Sequence, residues 1–260
     1  MSYQFILVTV QQGIARITLN RALKRNAMHG DMIAEITRAL HDIANDDNAR
    51  VVIINGDGEH FCAGADISWM QSIAQGSSQQ NFADAESIAD LMYQLYTFPK
   101  PTIVLAHGAT MGGGLGLLAA CDLAIAANNA SFAFSEVKIG ITPSTISPYV
   151  VAAIGERAAR YYFLTGERFD AQTAHRIGLI HRVVEPDVLI TTGNALATIL
   201  LANSPNALHE AKKLLQYVSH EKISDQLAQK TAEHLANVRS TKEAQEGLKA
   251  FTEKRPPIWS

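Results

Sequence analysis

Residues 5–10 and 13–19 are dominated by β-branched and apolar side chains, with Gln11, Gln12 and Gly13 between them, a pattern that predicts two strands joined by a tight turn. Apolar residues then recur at Met32, Ile33, Ile36, Leu40 and Ile43, which lie on one face of a helix. That helix is expected to run from a cap at Asn26 to about Asn45, where Asp46, Asp47 and Asn48 break it. Residues 50–55 form a short, nearly all-apolar run, as expected of a strand covered on both faces. The alternation continues with a helix over 83–97, a strand over 102–106, a helix opening at Gly112–Gly114 and a strand over 123–126. Strand and helix alternating at this spacing imply right-handed crossovers and a mainly parallel sheet. Beyond residue 148 the pattern becomes helical, over 148–164, 171–176, 186–201, 207–217 and 223–251, with one strand over 179–184. Residues 71–82, polar and rich in Gly, Ser and Gln, are expected to be a mobile stretch able to act as a lid.

Composition narrows the classes. The chain has 260 residues, 47% hydrophobic and 18% charged, enough for one large core, although the length permits one domain or two. Its net charge of -3, with no strongly basic half, argues against nucleic-acid binding. The first residues lack the basic start and long apolar run of a secretory leader, and no apolar stretch reaches the length of a membrane span. Cys62 and Cys121 both stand in apolar segments, so the reading is two reduced, buried thiols in a cytoplasmic protein, with neither a disulfide framework nor a metal site.

The candidate chemistry lies in two glycine-bearing segments, 61–67 (Phe-Cys-Ala-Gly-Ala-Asp-Ile) and 111–116 (Met-Gly-Gly-Gly-Leu-Gly). Each stands where a strand ends, and glycine lets exposed backbone N–H groups come close to a ligand. Two such segments can aim two donors at one oxygen and stabilise a developing oxyanion. Glu136 follows the strand-like residues 131–134 in apolar surroundings that should raise its pKa, as suits general acid–base work. Together these residues suggest an enzyme acting on a carbonyl compound. The ordinary alternatives are glycines that merely allow tight helix packing and a solvated glutamate at a strand end. Neither segment has the G-x-G-x-x-G spacing of a dinucleotide-binding unit.

The segments above, in their order, resemble the crotonase superfamily of enoyl-CoA hydratases and isomerases across nearly the whole chain. The residues that carry the resemblance are Ile-Thr-Leu-Asn-Arg at 17–21 with Asn26-Ala27, the two glycine segments with His107-Gly108, Cys121-Asp122, Ser-Glu-Val-Lys-Ile-Gly at 135–140, Phe169-Asp170-Ala171, Gly178-Leu179 and the stretch from Glu246 to Trp259. The resemblance implies an α/β fold, a crotonase-like (ββα)n spiral core over 1–200, and a helical C-terminal trimerisation region over 201–260. It implies an oxyanion hole built from the N–H groups of Ala65 and Gly113, with Glu136 as the proton carrier. It also implies a coenzyme A thioester as substrate, no separate cofactor, and a homotrimer or dimer of trimers. Arg21 and Lys24, with Arg25 beside them, would face the phosphates, and the backbone of Ala63 and Ile67 would meet the adenine. Phe251 and Lys254 would reach in from a neighbouring subunit. Trp69, Met70, Phe134 and Ile141 are candidates for the acyl slot, each equally readable as core. His107 stands where relatives commonly have Asn and is read as structural.

Two departures matter. Ser68 replaces a frequent lysine, and Leu115-Gly116 follows the glycine triplet where the best-known hydratases carry a second glutamate. One carboxylate suits Δ3-Δ2 isomerisation, whereas similarity to the bacterial methylglutaconyl-CoA hydratase-like branch favours hydration. The resemblance therefore implies an enoyl-CoA hydratase, with an isomerase or a non-catalytic CoA-thioester binder as the alternatives.

Overall fold

The computed structural model describes residues 3–219 and 221–259. Strands β1 (Ile6–Gln11) and β2 (Ile14–Leu19) form the expected antiparallel hairpin, which turns through the left-handed residues Gln12 and Gly13. Strands β3 (Val51–Gly56), β4 (Thr102–Ala106), β6 (Leu123–Ala127) and β9 (Arg182–Val184) add to it in parallel, giving a six-stranded sheet in the order β1-β2-β3-β4-β6-β9. Every residue of β3 and β4 is buried, as their unbroken apolar runs require. Alternate side chains divide between two cores. Val52, Ile54, Val104 and Ala106 face the larger one with α1 (Gly30–Ala44), while Val51, Ile53, Ile103 and Leu105 pack under α7 (Leu189–Leu201).

A second sheet was not foreseen. β5 (Ala109–Met111), β7 (Ser131–Ala133) and β8 (Phe169–Asp170) are too short to show a hydrophobic period, yet they pair in the order β5-β7-β8. Cys62 bridges Thr110 on the open side of β5. Each turn of the chain thus places a long strand in the large sheet, a short extended piece in the small one, and then a helix. These repeats match the (ββα) units that the resemblance implies. The helices that follow are α2 (Ile67–Ala74) and α3 (Ser78–Tyr96), then α4 (Gly113–Ala120), then α5 (Ser147–Thr165).

Several boundaries differ from the sequence expectation. Asn26 does not cap α1, which starts four residues later behind His29. It is fully buried with φ of +54°, accepts the Arg21 N–H, and donates to the carbonyls of Asp57 and His60. It therefore pins the loop after β2 to the end of β3. Replacing it with Ala should leave two part-buried carbonyls and one N–H without their side-chain partner and lower stability by roughly 1–3 kcal/mol in a denaturant melt. Residues 71–82 are mostly helical. The helix α2 is capped by Asp66, and α3 starts at a Ser77–Gln80 capping box, so polar residues expected to be mobile are the outer face of a helix pair. The single helix expected over 223–251 is two, α9 (Asp225–Arg239) and α10 (Lys242–Glu253), divided at Ser240 and Thr241, the latter capping α10. Helix α6 (Ala171–Arg176) precedes β9, and α8 (Pro205–Val218) follows α7. No single helix among the described residues is long and apolar enough to cross a membrane.

Candidate active site

The two glycine segments lie side by side because the small sheet joins them. Phe61 N–H donates to the His107 carbonyl at 2.8 Å, Cys62 N–H to Ala109 at 3.1 Å, and Met111 N–H to Cys62 at 2.9 Å. On its other side the first segment is held by residue 28, with Met28 N–H on the Gly64 carbonyl and Asp66 N–H on the Met28 carbonyl. This arrangement skips Ala65. Among the described residues its N–H meets no acceptor.

In the second segment Gly112 has φ of +46°, a conformation that disfavours any side chain, and it turns the chain directly into α4. Its carbonyl takes the N–H groups of Leu115 and Gly116, while its own N–H goes to Ala133. Gly113 and Gly114 then carry N–H groups with no acceptor among the described residues, as the opening turn of a helix must. A Cβ on Gly114 would lie 2.8 Å from the Cys62 carbonyl oxygen, so glycine is needed there for α4 to approach the first segment.

Glu136 completes the arrangement. It opens a short 3-10 turn, Glu136–Ile139, immediately after β7 and Ser135. A Cβ built on Gly112 would lie 3.4 Å from Glu136 Oε1 and 3.8 Å from Gly64 Cα, so one small volume is shared by both glycine segments and the carboxylate. Burial holds the Glu136 carboxyl above its ordinary pKa, and its Oε2 is buried without a hydrogen-bond partner among the described residues. A buried polar atom left without a partner is costly unless a ligand or water supplies one.

The position of the missing second carboxylate is closed. A Cβ on Gly116 would lie 2.3 Å from Ile146 Cγ2 and 3.0 Å from Met92 Sδ. Ile146 and Met92, both buried, line this side of the helix and were not singled out in the sequence, since only their packing against a glycine reveals them.

Other predicted residues fall in different places. Arg21 does not face outward for phosphate. Its guanidinium pairs with Asp66 at 3.0 Å, donates to the Ala27 carbonyl and lies over the Phe5 ring, and both side chains of the pair are only 16% exposed. The same pairing holds the Asp66 carboxyl below the usual range while Asp66 caps α2. Arg21 thus braces the first glycine segment against the hairpin. Lys24 is exposed, Ile67 is exposed at the start of α2, and Ala63 donates its N–H to the Arg25 carbonyl. Phe251 is 86% exposed near the end of α10, and Lys254 caps that helix in a left-handed conformation. Phe134 does not line a slot; it is fully buried, with its ring centroid 4.9 Å from that of Phe163. Trp69 and Met70 are partly buried on α2, and Ile141 is exposed. His107 shares a hydrogen bond between its Nε2 and the Gly58 carbonyl. Cys62 is buried and its thiol is pushed up to about 12; burial also raises that of Cys121.

The matches to known proteins agree with this geometry. Residues 9–260 fit the family model described as enoyl-CoA hydratase/isomerase. A solved enoyl-CoA hydratase from Shewanella pealeana superimposes with a TM-score of 0.96 at 42% identity, over 98% of this chain and 96% of that one. A mevalonyl-coenzyme A hydratase of Aspergillus fumigatus is 35% identical over 95% of this chain and 91% of its own length. A 2,3-dehydroadipyl-CoA hydratase of Escherichia coli is 30% identical over 97% of both. The chain belongs to the enoyl-CoA hydratase/isomerase family and has the crotonase fold.

Proposed function

We propose that this protein is an enoyl-CoA hydratase, adding water across the double bond of a 2-enoyl-CoA. The observation that carries this reading is the meeting of two backbone amides with one buried carboxylate oxygen, all three without partners among the described residues. The thioester oxygen would sit between the N–H groups of Ala65 and Gly113. The second donor opens α4, so the partial positive charge of the helix N-terminus adds to it. Polarised in this way, the conjugated double bond is electrophilic at its β-carbon. Removal of one such donor typically costs about 3–4 kcal/mol of barrier.

With no carboxylate at residue 116, Glu136 must serve both proton transfers. As the carboxylate it takes a proton from water while the oxygen bonds to the β-carbon, giving an enolate held by the two amides. The same carboxyl then returns that proton to the α-carbon. One proton leaves water and one arrives at carbon, so the step balances without a second base. A raised pKa favours the first transfer, because the carboxylate of a weaker acid takes the water proton more readily, while the protonated carboxyl remains acidic enough to donate to an enolate.

The closed position beside Gly116 favours the second reading, a Δ3-Δ2 enoyl-CoA isomerase, in which the same carboxyl would carry a proton between two carbons. Incubation with crotonyl-CoA, 3-methylglutaconyl-CoA and a 3-enoyl-CoA, with products analysed by mass and double-bond position, separates the two. Gain of one water supports hydration. Double-bond movement without mass change, on every substrate accepted, would replace it with isomerisation. Tight binding of all three without turnover would leave only a CoA-thioester binder. The relatives carry names of different acyl groups; for this chain a branched group such as methylglutaconyl is the proposed substrate.

The coenzyme A portion is assigned to Lys24 and to the backbone at Ala63 and Ile67. The chain is read as a spiral core over 1–200 and a helical region over 201–260 that makes a trimer or a dimer of trimers. Leu248 and Phe251 on α10, 56% and 86% exposed, are apolar surface for that contact. In the trimer, Phe251 and Lys254 would approach a neighbour's CoA. Two thiols with raised pKa values fit a reducing, cytoplasmic setting.

A further inference from the structure

The first glycine segment meets the loop before α1 in a short bridge, and one guanidinium closes that bridge from both sides. Met28 and Ala65 pair in parallel, with Met28 N–H on the Gly64 carbonyl at 2.8 Å and Asp66 N–H on the Met28 carbonyl at 2.7 Å. Both backbone groups of Met28 are thus used on the neighbours of Ala65. The N–H of Ala65 itself points to the opposite edge, where the second glycine segment lies. Arg21 reaches the two residues beside this bridge. Its Nη1 donates to the carbonyl of Ala27, just before Met28, and its Nη2 to Asp66 Oδ2 at 3.0 Å, just after Ala65.

The guanidinium has little freedom. It lies over the Phe5 ring, 5.7 Å from the centroid, and that ring stands edge-on to His29 at 4.4 Å. Phe5 is fixed in turn, its N–H donating to Glu35 Oε2 at 2.8 Å. A planar fork held in this way presents its N–H groups at fixed angles, which an ammonium on a flexible stem does not. Asp66 divides its two oxygens. Oδ2 meets Arg21, while Oδ1 accepts the N–H groups of Ser68 at 3.0 Å and Trp69 at 3.4 Å in the first turn of α2. For stability alone such a pair is replaceable, since part-buried ion pairs gain little over apolar groups of similar size. Its place on both flanks of Ala65 gives it a further task.

We propose that Arg21 and Asp66 are positioning residues for the reaction: together they fix the direction of the Ala65 N–H toward the thioester oxygen without touching substrate. This rests on the reading of Ala65 as an oxyanion donor. A donor assists a developing oxyanion only when it is already aimed at it, and an enolate oxygen takes more from that donor than the ground-state carbonyl does. A slackened bridge between residues 28 and 65 therefore slows the chemical step more than it weakens binding.

The test compares Arg21→Met, Asp66→Asn and the double variant Arg21→Met/Asp66→Asn. Each single change leaves a part-buried charge without its partner and should lower the melting temperature, whereas the double variant leaves neither and should melt above both. Were the pair only structural, activity would return with stability in the double variant. The expected result is that it does not: kcat on crotonyl-CoA stays about tenfold or more below wild type while KM changes less than about twofold. Wild-type kcat in the double variant, or a loss confined to KM, overturns the positioning role. Should the double variant not fold, Arg21→Lys, which keeps the charges matched but loses the planar fork, is held to the same expectation. The donor itself is read from the infrared carbonyl band of bound butyryl-CoA, isotope-labelled at the thioester carbonyl and without a double bond to hydrate. Hydrogen bonding lowers that frequency, so wild type should shift the band down from its solution position and the variant should return it part of the way. An identical band in both proteins overturns the proposal. A lowered band in a wild type that hydrates nothing would remove the hydratase reading, and the comparison of bands would still decide the positioning role. An unshifted band in wild type would overturn both.

Discussion

Glu136→Gln is expected to lose about 10²–10⁴-fold in kcat/KM for hydration, the usual share of a general acid–base group, with little change in KM. Glutamine keeps the shape but cannot take a proton from water. The pH profile of the wild type gives the matching signature. Hydration needs the ionised carboxylate, so activity should fall on the acid side through a pKa above the ordinary glutamate value, because burial disfavours the charge. Stability should move the opposite way. A carboxyl whose folded pKa is raised favours the fold while protonated, and that contribution disappears as pH rises from the unfolded value through the folded one. Glu136→Gln should therefore melt higher than wild type at neutral pH and lose that advantage in acid. Wild-type turnover in Glu136→Gln would remove the residue from the mechanism. An unchanged difference in melting temperature across pH would remove its raised pKa.

The second large effect concerns the glycine where a carboxylate would stand in the best-known hydratases. Gly116→Glu should lower stability by at least about 1–3 kcal/mol through overpacking, and further because the new carboxylate enters an apolar wall. The collision is with Ile146 Cγ2 at 2.3 Å and Met92 Sδ at 3.0 Å. Ile146→Ala alone should cost about 2–5 kcal/mol through the cavity it opens. Combined, the two changes should cost less than their sum, since each relieves the other. A double-mutant cycle from denaturant melts measures this coupling directly. A Gly116→Glu protein as stable as wild type would mean that Ile146 gives way freely, and that geometry does not bar a second carboxylate.

These two residues show how unevenly the site could be read from the chain. The glycine segments and Glu136 were visible because backbone donors need glycine at a turn and because strand, turn and helix follow in a short span. Their neighbours were not. Gly116 stands out in the sequence as a departure from relatives, but its steric closure shows only when Ile146, thirty residues later, is found against it. Arg21 looked free because a basic loop gives no sign of Asp66 forty-five residues away.

The fold divides in the same manner. The large parallel sheet was legible because strands buried on both faces need continuous apolar runs, which β3 and β4 have. The small sheet was not, since strands of two or three residues have too few positions for a period of two to register. Asn26 was expected at a helix cap on local preference alone, but the Arg21 N–H nearby and the carbonyls of Asp57 and His60, more than thirty residues on, claimed its side chain instead. The sequence by itself determined the family and the order of the large sheet's strands, and it pointed to the proposed donors and acid. Only the tertiary structure decided which charges are already matched and which position is sterically closed, because contacts between residues far apart in the chain leave no local pattern.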